Sequence, residues 1–341
     1  MTTNSLGKAP ISSLAPRAAA QAWLRQGRHV AIATVIETWG SAPVPPGGEM
    51  AIAAEDAFQG SVSGGCIEAD VIAAALDVIA TGAPQMLSFG IEDETAWRSG
   101  LQCGGKLRVL VARLDRDRAL TDFARLAAAE ATREPVVTLT NLADGRPTMF
   151  TTSEDTPGYV AAFLAKGRSG VLETQNGEVF VHTTTPVPRV AIIGATQISQ
   201  HLAAMARGIG YDVVVIDPRP AFTTAGSFNA ATVQTGWPED TLRDLTNDPY
   251  TAVVALTHIG QIDDEALRIA IRAPCGYVGA LGSRKTHAKR IERLKAAGFS
   301  DAEISRIRAP IGLDIGAKSP GEIAVSILAD VVTAFRKCAS R

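Results

Sequence analysis

The chain has 341 residues, of which 46% are hydrophobic and 20% are charged, a composition typical of globular proteins rather than disordered or fibrous ones. Its formal net charge is -2, so it lacks the excess of lysine and arginine that would bind a nucleic acid or an anionic membrane surface. The length exceeds what one hydrophobic core usually organises and predicts two or three domains.

The absence of a recognisable targeting signal and the low number of cysteines predict a cytoplasmic protein. The N-terminal stretch has no apolar core flanked by basic residues, and no run of 18 apolar residues occurs in the sequence, which argues against a membrane segment. The cysteines are few and far apart, a pattern that favours reduced thiols over a disulfide framework. Because the sequence has neither CxxC nor HExxH spacing, we expect any metal to arrive inside a cofactor.

The first segment, residues 1–115, alternates helical and strand patterns. An amphipathic helix over 18–26 ends at Gly27, and a buried strand follows over 30–36. Strand character resumes at Met50 after a loop rich in proline and glycine, which cannot continue a sheet interior. We therefore predict a mixed α/β domain here.

The stretch GSVSGGCIEAD, residues 60–70, predicts a strand that turns sharply into a helix. The helix has apolar residues at four-residue spacing and a glycine that would end it: Ile67, Val71, Ala75, Ile79 and Gly82. Gly64 and Gly65 permit unusual backbone angles, and N–H groups left free at a helix start attract anions. Cys66 would lie there as a thiolate able to contact a metal, and Glu68 could accept N–H groups of a ligand. The alternative stays open that the glycines only ease a tight turn and Cys66 is a small buried side chain.

A second cysteine lies beside a glycine pair in the stretch LQCGG, as Cys103, Gly104 and Gly105. These residues precede an alternating strand that has Leu107, Val109 and Val111 on one face. Cys103 either faces a ligand together with Cys66 or fills space at the start of the strand. Cys275 and Cys338 have no glycine-rich context, and we assign them no role.

The rest of the chain divides into a connecting segment, 116–188, and a C-terminal domain, 189–341. Pro186 and Pro188 remove backbone donors just before a strongly apolar strand, which marks the boundary. Apolar strands then alternate with helical stretches, and strands so uniformly apolar are covered on both faces. The pattern predicts a Rossmann-like, doubly wound parallel sheet with strands over 190–194, 212–217, 251–257 and 277–282.

The C-terminal domain has the two ends of a dinucleotide-binding unit, Gly194 after one strand and Asp217 after the next. Thr196 stands where a second glycine would let the backbone touch a pyrophosphate, which argues against NAD(P) bound in the usual way. His258 follows a strand at the sheet edge where such folds bind ligands. Ser283 and Arg284, with the neighbouring Lys285, could hold a phosphate or could form a solvated helix start.

Taken together, these stretches resemble the XdhC/CoxI family of molybdenum hydroxylase accessory proteins. The resemblance rests on WGSAPVPPGGEM, GSVSGGCIEAD, LQCGG, VAIIGA, VVVIDPR, LTH, YVGALGSRK and RIRAPIGLDIGAKSPGEIAVSILAD, in that order. It implies a cytoplasmic chaperone, with no catalytic residues of its own, that binds molybdenum cofactor and protects it during sulfuration. The client would be an apoenzyme of the xanthine dehydrogenase, aldehyde oxidase or carbon monoxide dehydrogenase type, and the resemblance adds a cysteine desulfurase and a second copy of the chain as partners.

The resemblance also implies which residues hold the cofactor, as molybdopterin or as its cytidine dinucleotide form. They are Ser63, Gly64, Gly65, Cys66, Glu68, Cys103, Gly104, Gly105, Gly194, Asp217, Arg219, His258, Ser283 and Arg284, with Cys66 and Cys103 as contacts to molybdenum. The chain departs from the family pattern at two places: GATQ replaces GAGH, and Ile259 follows His258 where the family has THD. Two other functions stay open: an NAD(P)-dependent oxidoreductase, and a sulfur-transfer protein that uses Cys66 or Cys103 as a persulfide carrier.

Overall fold

The computed structural model describes residues 15–338 except 41, 55–56, 91–105, 153–156, 176, 224–227 and 229–230, and it leaves out the side chains of 165, 166, 337 and 338. The chain divides into two compact units, an N-terminal unit that ends at Pro186 and a C-terminal unit that begins at Val187. The finer division of the first unit into 1–115 and 116–188 stays a prediction. Cys103, Gly104 and Gly105 lie outside the described residues.

An antiparallel sheet forms the first part of the N-terminal unit, in the strand order β3-β2-β1-β5-β4. Its elements are helix α1 (Ala15–Arg25), strands β1 (Val30–Trp39), β2 (Glu49–Ala53) and β3 (Ala57–Gly60), helix α2 (Glu68–Thr81), and strands β4 (Gln85–Phe89) and β5 (Lys106–Arg113). Alternate residues of β1, namely Ala31, Ala33 and Val35, pack with Val71 and Ala75 of α2, as the period of two along a strand requires. Helix α2 therefore covers one face of this sheet.

A second antiparallel sheet completes the N-terminal unit, in the order β7-β6-β9-β8. It contains helix α3 (Arg116–Ala131), strands β6 (Val136–Asn141) and β7 (Pro147–Thr151), helix α4 (Gly158–Lys166), and strands β8 (Gly170–Thr174) and β9 (Gly177–Thr184). Ile36 and Leu110 of the first sheet pack against Phe180 of the second. The two sheets thus face each other on the side of the first sheet that α2 does not cover.

The C-terminal unit is a parallel sheet in the order β12-β11-β10-β13-β14-β15, which is the strand order of a Rossmann fold. Its elements are β10 (Arg189–Ile193), α5 (Gln197–Gly208), β11 (Asp212–Asp217), β12 (Thr232–Thr235), α6 (Pro238–Leu245), β13 (Thr251–Ala255), α7 (Gly260–Ala270), β14 (Tyr277–Ala280), α8 (Arg284–Ala296), α9 (Asp301–Ile304), β15 (Ile307–Arg308) and α10 (Pro320–Cys338). The α/β class and the Rossmann-like sheet predicted from sequence are confirmed.

Helices cover both faces of the parallel sheet. Ala191 and Ile193 of β10 pack on one face with Ile262 of α7, whereas Val190 and Ile192 pack on the other with residues of α5 and α10. This double burial explains why the strands read as unbroken apolar runs. Within the described part of the chain, every helix is too short or too polar to cross a membrane.

Candidate functional site

The predicted Gly-Cys loop, residues 61–67, joins β3 to α2. Gly64 and Gly65 have φ angles of 84° and 119°, in the left-handed region that favours glycine. A Cβ atom at Gly65 would have no described atom within 4 Å, and one at Gly64 would lie 3.5 Å from Pro43 Cγ. Both glycines are therefore required by the turn of the backbone rather than by crowding, and both are exposed.

Glu68, the first residue of α2, holds the loop in place through hydrogen bonds. Its carboxylate accepts hydrogen bonds from the hydroxyls of Ser61 and Ser63 and from the backbone N–H groups of Val62, Ser63 and Ile67. Burial alone would raise the pKa of Glu68, but the hydrogen bonds from Ser61 and Ser63 outweigh it and lower the pKa to about 2. Glu68 is therefore ionised at neutral pH and braces the loop from inside.

The expectation of a row of free backbone amides is corrected by these hydrogen bonds. Gly64 N–H donates to Ser61 Oγ at 2.8 Å, and Cys66 N–H donates to Ser63 Oγ at 3.0 Å. Ile67 N–H lies near both Ser63 Oγ and Glu68. Serine and glutamate side chains supply local acceptors that compete for the amides at a helix start, so these amides are not left for an anion.

Cys66 is exposed, whereas Cys275 is buried. The Cys275 thiol donates to the carbonyl oxygen of Ala270 at 3.2 Å, and burial raises its pKa to about 11. The alternative that Cys66 is a small buried side chain is therefore wrong. Among the cysteine side chains that the structure describes, Cys66 is the thiol that an approaching ligand can reach.

The predicted residues of the C-terminal unit share one edge of the parallel sheet. They lie at the carboxyl ends of four neighbouring strands: Gly194 at β10, Asp217 and Arg219 at β11, His258 at β13, and Ser283 and Arg284 at β14. This is the edge at which open α/β sheets bind ligands. His258 is exposed and has a φ of 61°, and the Ser283 hydroxyl caps α8 by accepting from Thr286 N–H at 3.2 Å.

In the turn after β10, backbone N–H groups donate to side chains of the protein itself. The buried Asp217 carboxylate accepts Ala195 N–H at 2.7 Å and Arg219 Nη2 at 2.7 Å. Burial raises the pKa of Asp217, but these hydrogen bonds outweigh it and the pKa is lowered. A Cβ on Gly194 would lie 2.5 Å from Thr257 Cγ2, so this glycine is required for packing against the end of β13. In place of a second glycine, Thr196 caps α5 by accepting Ser199 N–H.

Sequence motifs did not point to a buried polar cluster in the N-terminal unit. Arg17 forms a paired contact with Glu49 at 2.6 and 2.7 Å, and Arg17 Nη2 lies 3.1 Å from His182 Nδ1. The three residues come from distant parts of the chain and share no spacing rule. The apolar residues next to Glu49 in β2 and His182 in β9 are the one signal that could have marked these two as inward-facing polar residues.

Comparison with known proteins gives consistent matches over most of the chain. The family model described as the XdhC and CoxI family matches residues 23–90, which include the Gly-Cys loop, and the XdhC Rossmann domain matches residues 190–331. A protein of Bacillus subtilis (strain 168) named as a probable xanthine dehydrogenase subunit is 27% identical over 327 residues, covering 93% of this chain and 97% of that protein. The "Molybdenum cofactor insertion chaperone PaoD" of Escherichia coli (strain K12) is 27% identical over 310 residues, covering 91% and 85%.

A solved structure shows the same fold. A crystal structure from Bacillus halodurans, described as a xanthine dehydrogenase, superposes with a TM-score of 0.71 at 26% identity, covering 94% of this chain and 96% of that one. The family matches include the Gly-Cys loop and the carboxyl edge of the parallel sheet. The chain belongs to the XdhC and CoxI family.

Proposed function

We propose that this protein binds molybdenum cofactor as cargo and inserts it into a molybdenum hydroxylase apoenzyme. The observation that carries the proposal is the exposed thiol of Cys66 on a loop held by Glu68. The E. coli relative is named as an insertion chaperone for this cofactor, and the B. subtilis relative as a xanthine dehydrogenase subunit. The client is an enzyme of the xanthine dehydrogenase, aldehyde oxidase or carbon monoxide dehydrogenase type.

The loop fits a carrier better than an enzyme. A cysteine thiolate is a metal ligand, and the exposed Gly64 and Gly65 beside Cys66 have no side chains of their own that would block a bulky cargo. Glu68 is occupied within the loop, so its role is to hold Cys66 in position rather than to transfer protons. Binding and release need affinity and shielding, which this arrangement supplies without an acid and base pair.

Several finer features belong to the same proposal. The protein works in the cytoplasm, where Cys66 stays a reduced thiol, and it shields the cofactor while a cysteine desulfurase supplies sulfur. The cargo is molybdopterin or its cytidine dinucleotide form, and two copies of the chain form a homodimer. NAD(P) is not bound in the usual way, because Asp217 is held by Ala195 and Arg219, and Gly194 is packed against Thr257.

Retention of the cofactor tests the proposal. Molybdenum cofactor released from a molybdoenzyme is mixed with the protein, unbound pterin is removed by gel filtration, and bound pterin is oxidised to its fluorescent product. We expect Cys66→Ser to retain at least about tenfold less pterin. Loss of a residue that only orients a metal ligand already lowers metal affinity about tenfold or more, and Cys66 is proposed as a direct ligand. Nucleotide released from the bound cargo distinguishes its two forms.

Matched cysteine variants complete the experiment. Cys275→Ala removes a buried thiol from the other unit and should retain as much pterin as the wild type. Cys103→Ser tests the second predicted cysteine in the same assay. Equal retention by the wild type and Cys66→Ser would contradict the proposal, and a persulfide on Cys66 in mass spectra would favour sulfur transfer instead.

A further inference from the structure

The N-terminal unit contains a cavity of about 1080 Å³. Its floor is formed by Thr34 and Leu110, on the face of the first sheet that α2 leaves uncovered, and its roof by Thr138, Phe180 and His182 of the second sheet. Side chains of α1 and α3 close its sides. Residues 61–67 do not line this cavity, so it is separate from the Gly-Cys loop.

One end of the cavity is a buried polar cluster of Arg17, Glu49 and His182. Thr34 lies directly opposite Glu49 in the pairing of β1 with β2, and Thr138 lies directly opposite His182 in the pairing of β6 with β9. Burial and the charge of Arg17 lower the pKa of His182 to about 4. The His182 ring is therefore neutral at pH 7 and accepts from Arg17 at Nδ1.

Arg17 has a donor group left over in this cluster. Its Nε and Nη2 atoms contact Glu49, but among the described residues Nη1 has no hydrogen-bond partner, although the atom is buried. Only 9% of the residue is exposed. Leaving a buried guanidinium N–H without an acceptor is costly. Arg17 belongs to the cavity lining, so a shift of its side chain that brings Nη1 to an acceptor on a ligand in the cavity would be favoured.

The rest of the lining indicates what kind of ligand carries that acceptor. The walls combine charged and polar side chains with an apolar part, which includes Ile36, Leu110, Phe123, Leu126, Met149 and Phe180. The described lining contains six arginines and four carboxylates. This is an excess of positive charge in a chain whose net charge is -2. Exposed lining arginines, among them Arg113, Arg116 and Arg146, place part of this excess where a ligand enters from solvent.

We infer that the cavity is a second binding site, which takes a small organic anion with an aromatic or fused-ring body. The ring lies against the apolar walls, and a carboxylate or phosphate group accepts a charge-assisted hydrogen bond from Arg17 Nη1. The volume is close to the upper end of the range for small-molecule sites, which combine apolar walls with placed polar groups. This site goes beyond the proposed cargo loop, and it does not depend on Cys66.

A pair of fluorescent probes tests the site in the full chain. Anilinonaphthalene sulfonate is an aromatic anion that becomes fluorescent in apolar surroundings, and phenylnaphthylamine is its neutral analogue. We expect the folded wild type to bind one equivalent of the sulfonate, and to bind it more tightly than the neutral analogue. A folded wild type, checked by near-ultraviolet circular dichroism, that binds no sulfonate would overturn the inference.

The double variant Arg17→Met/Glu49→Gln removes the spare donor without leaving a buried charge unpaired. We expect its dissociation constant for the sulfonate to rise about tenfold or more, since hydrogen bonds to charged groups are worth that much, while the neutral analogue binds nearly as before. If the double variant folds and keeps the wild-type affinity for the sulfonate, Arg17 does not hold the anion and the inference is wrong.

A variant that fills the cavity gives an independent test. Thr34→Phe places a ring in the lining of β1, and Thr38→Phe makes the same change on the same strand outside the lining. Only Thr34→Phe should abolish binding of both probes; equal binding by the two variants would contradict the location.

Displacement of the sulfonate by pterin carboxylate alone would assign the site to the ring system of the cargo, and displacement by naphthoate as well would assign it to organic anions in general. Displacement by neither would count against an organic-anion site.

Discussion

Glu68 determines how Cys66 is presented, because its carboxylate is the acceptor for donors from both sides of the Gly-Cys loop. We expect Glu68→Gln to lower the free energy of unfolding by about 1 to 3 kcal/mol, since charged hydrogen bonds are lost. Cofactor retention should also fall, although the thiol is intact. Urea denaturation and the pterin assay measure the two effects.

Asp70→Asn is the matched control for this change. Asp70 is an exposed residue of the same first turn of α2, so the substitution removes the same charge but costs only about 0.3 to 1 kcal/mol of interaction with the helix dipole. Its pterin retention should equal that of the wild type. Similar losses in the two variants would show that Glu68 acts through its charge alone and not through the loop.

His182 gives the N-terminal unit a distinctive response to pH. Its pKa is about 4 in the folded chain, because of burial and Arg17, against an ordinary value of 6.5. Between these values the unfolded chain binds the proton more readily, so the free energy of unfolding falls as the pH falls through this window. We expect a loss of about 1 to 2 kcal/mol between pH 7 and pH 5 from this residue.

His182→Gln tests that assignment. Glutamine keeps an acceptor for Arg17 but does not titrate, so the variant should lose less stability over the same pH interval. Urea denaturation at several pH values compares the two slopes, and carboxylates common to both proteins cancel in the comparison. An unchanged slope in the variant would mean that His182 is not held neutral by the fold.

At the scale of elements, burial decides what could be predicted from sequence. Strands β10, β11 and β13 were predicted because their residues are buried on both faces, which makes them unbroken apolar runs. Strands β8 and β9 were not predicted because polar residues interrupt their apolar residues and β8 is only partly buried. Periodicity carries little signal in strands of that kind.

The Gly-Cys loop shows the same limit in a candidate site. The positive φ of Gly64 and Gly65 and the exposure of Cys66 are consistent with the predicted turn from strand to helix. The acceptors of the backbone N–H groups in this loop could not be predicted, because the choice between Ser61, Ser63 and a ligand depends on side-chain geometry. Arg17 of α1 and His182 of β9, 165 residues apart, meet only through tertiary packing, which no local pattern encodes.

At the scale of the whole molecule, each unit has a hydrophobic core of its own. Gly194→Ala probes the core of the C-terminal unit, because the new Cβ would lie 2.5 Å from Thr257 Cγ2 and the φ of 104° disfavours alanine. We expect the variant to lose about 2 to 4 kcal/mol of stability. In hydrogen exchange of the full chain, amides of β10, β11 and β13 should exchange faster, while those of β1, β2 and β5 keep their wild-type rates. Gly208→Ala is the control, since no described atom lies within 4 Å of its Cβ. Gly208 is the exposed last residue of α5, so the change should alter the stability by no more than about 0.5 kcal/mol. Faster exchange in both units of Gly194→Ala would show instead that the chain unfolds as one cooperative body.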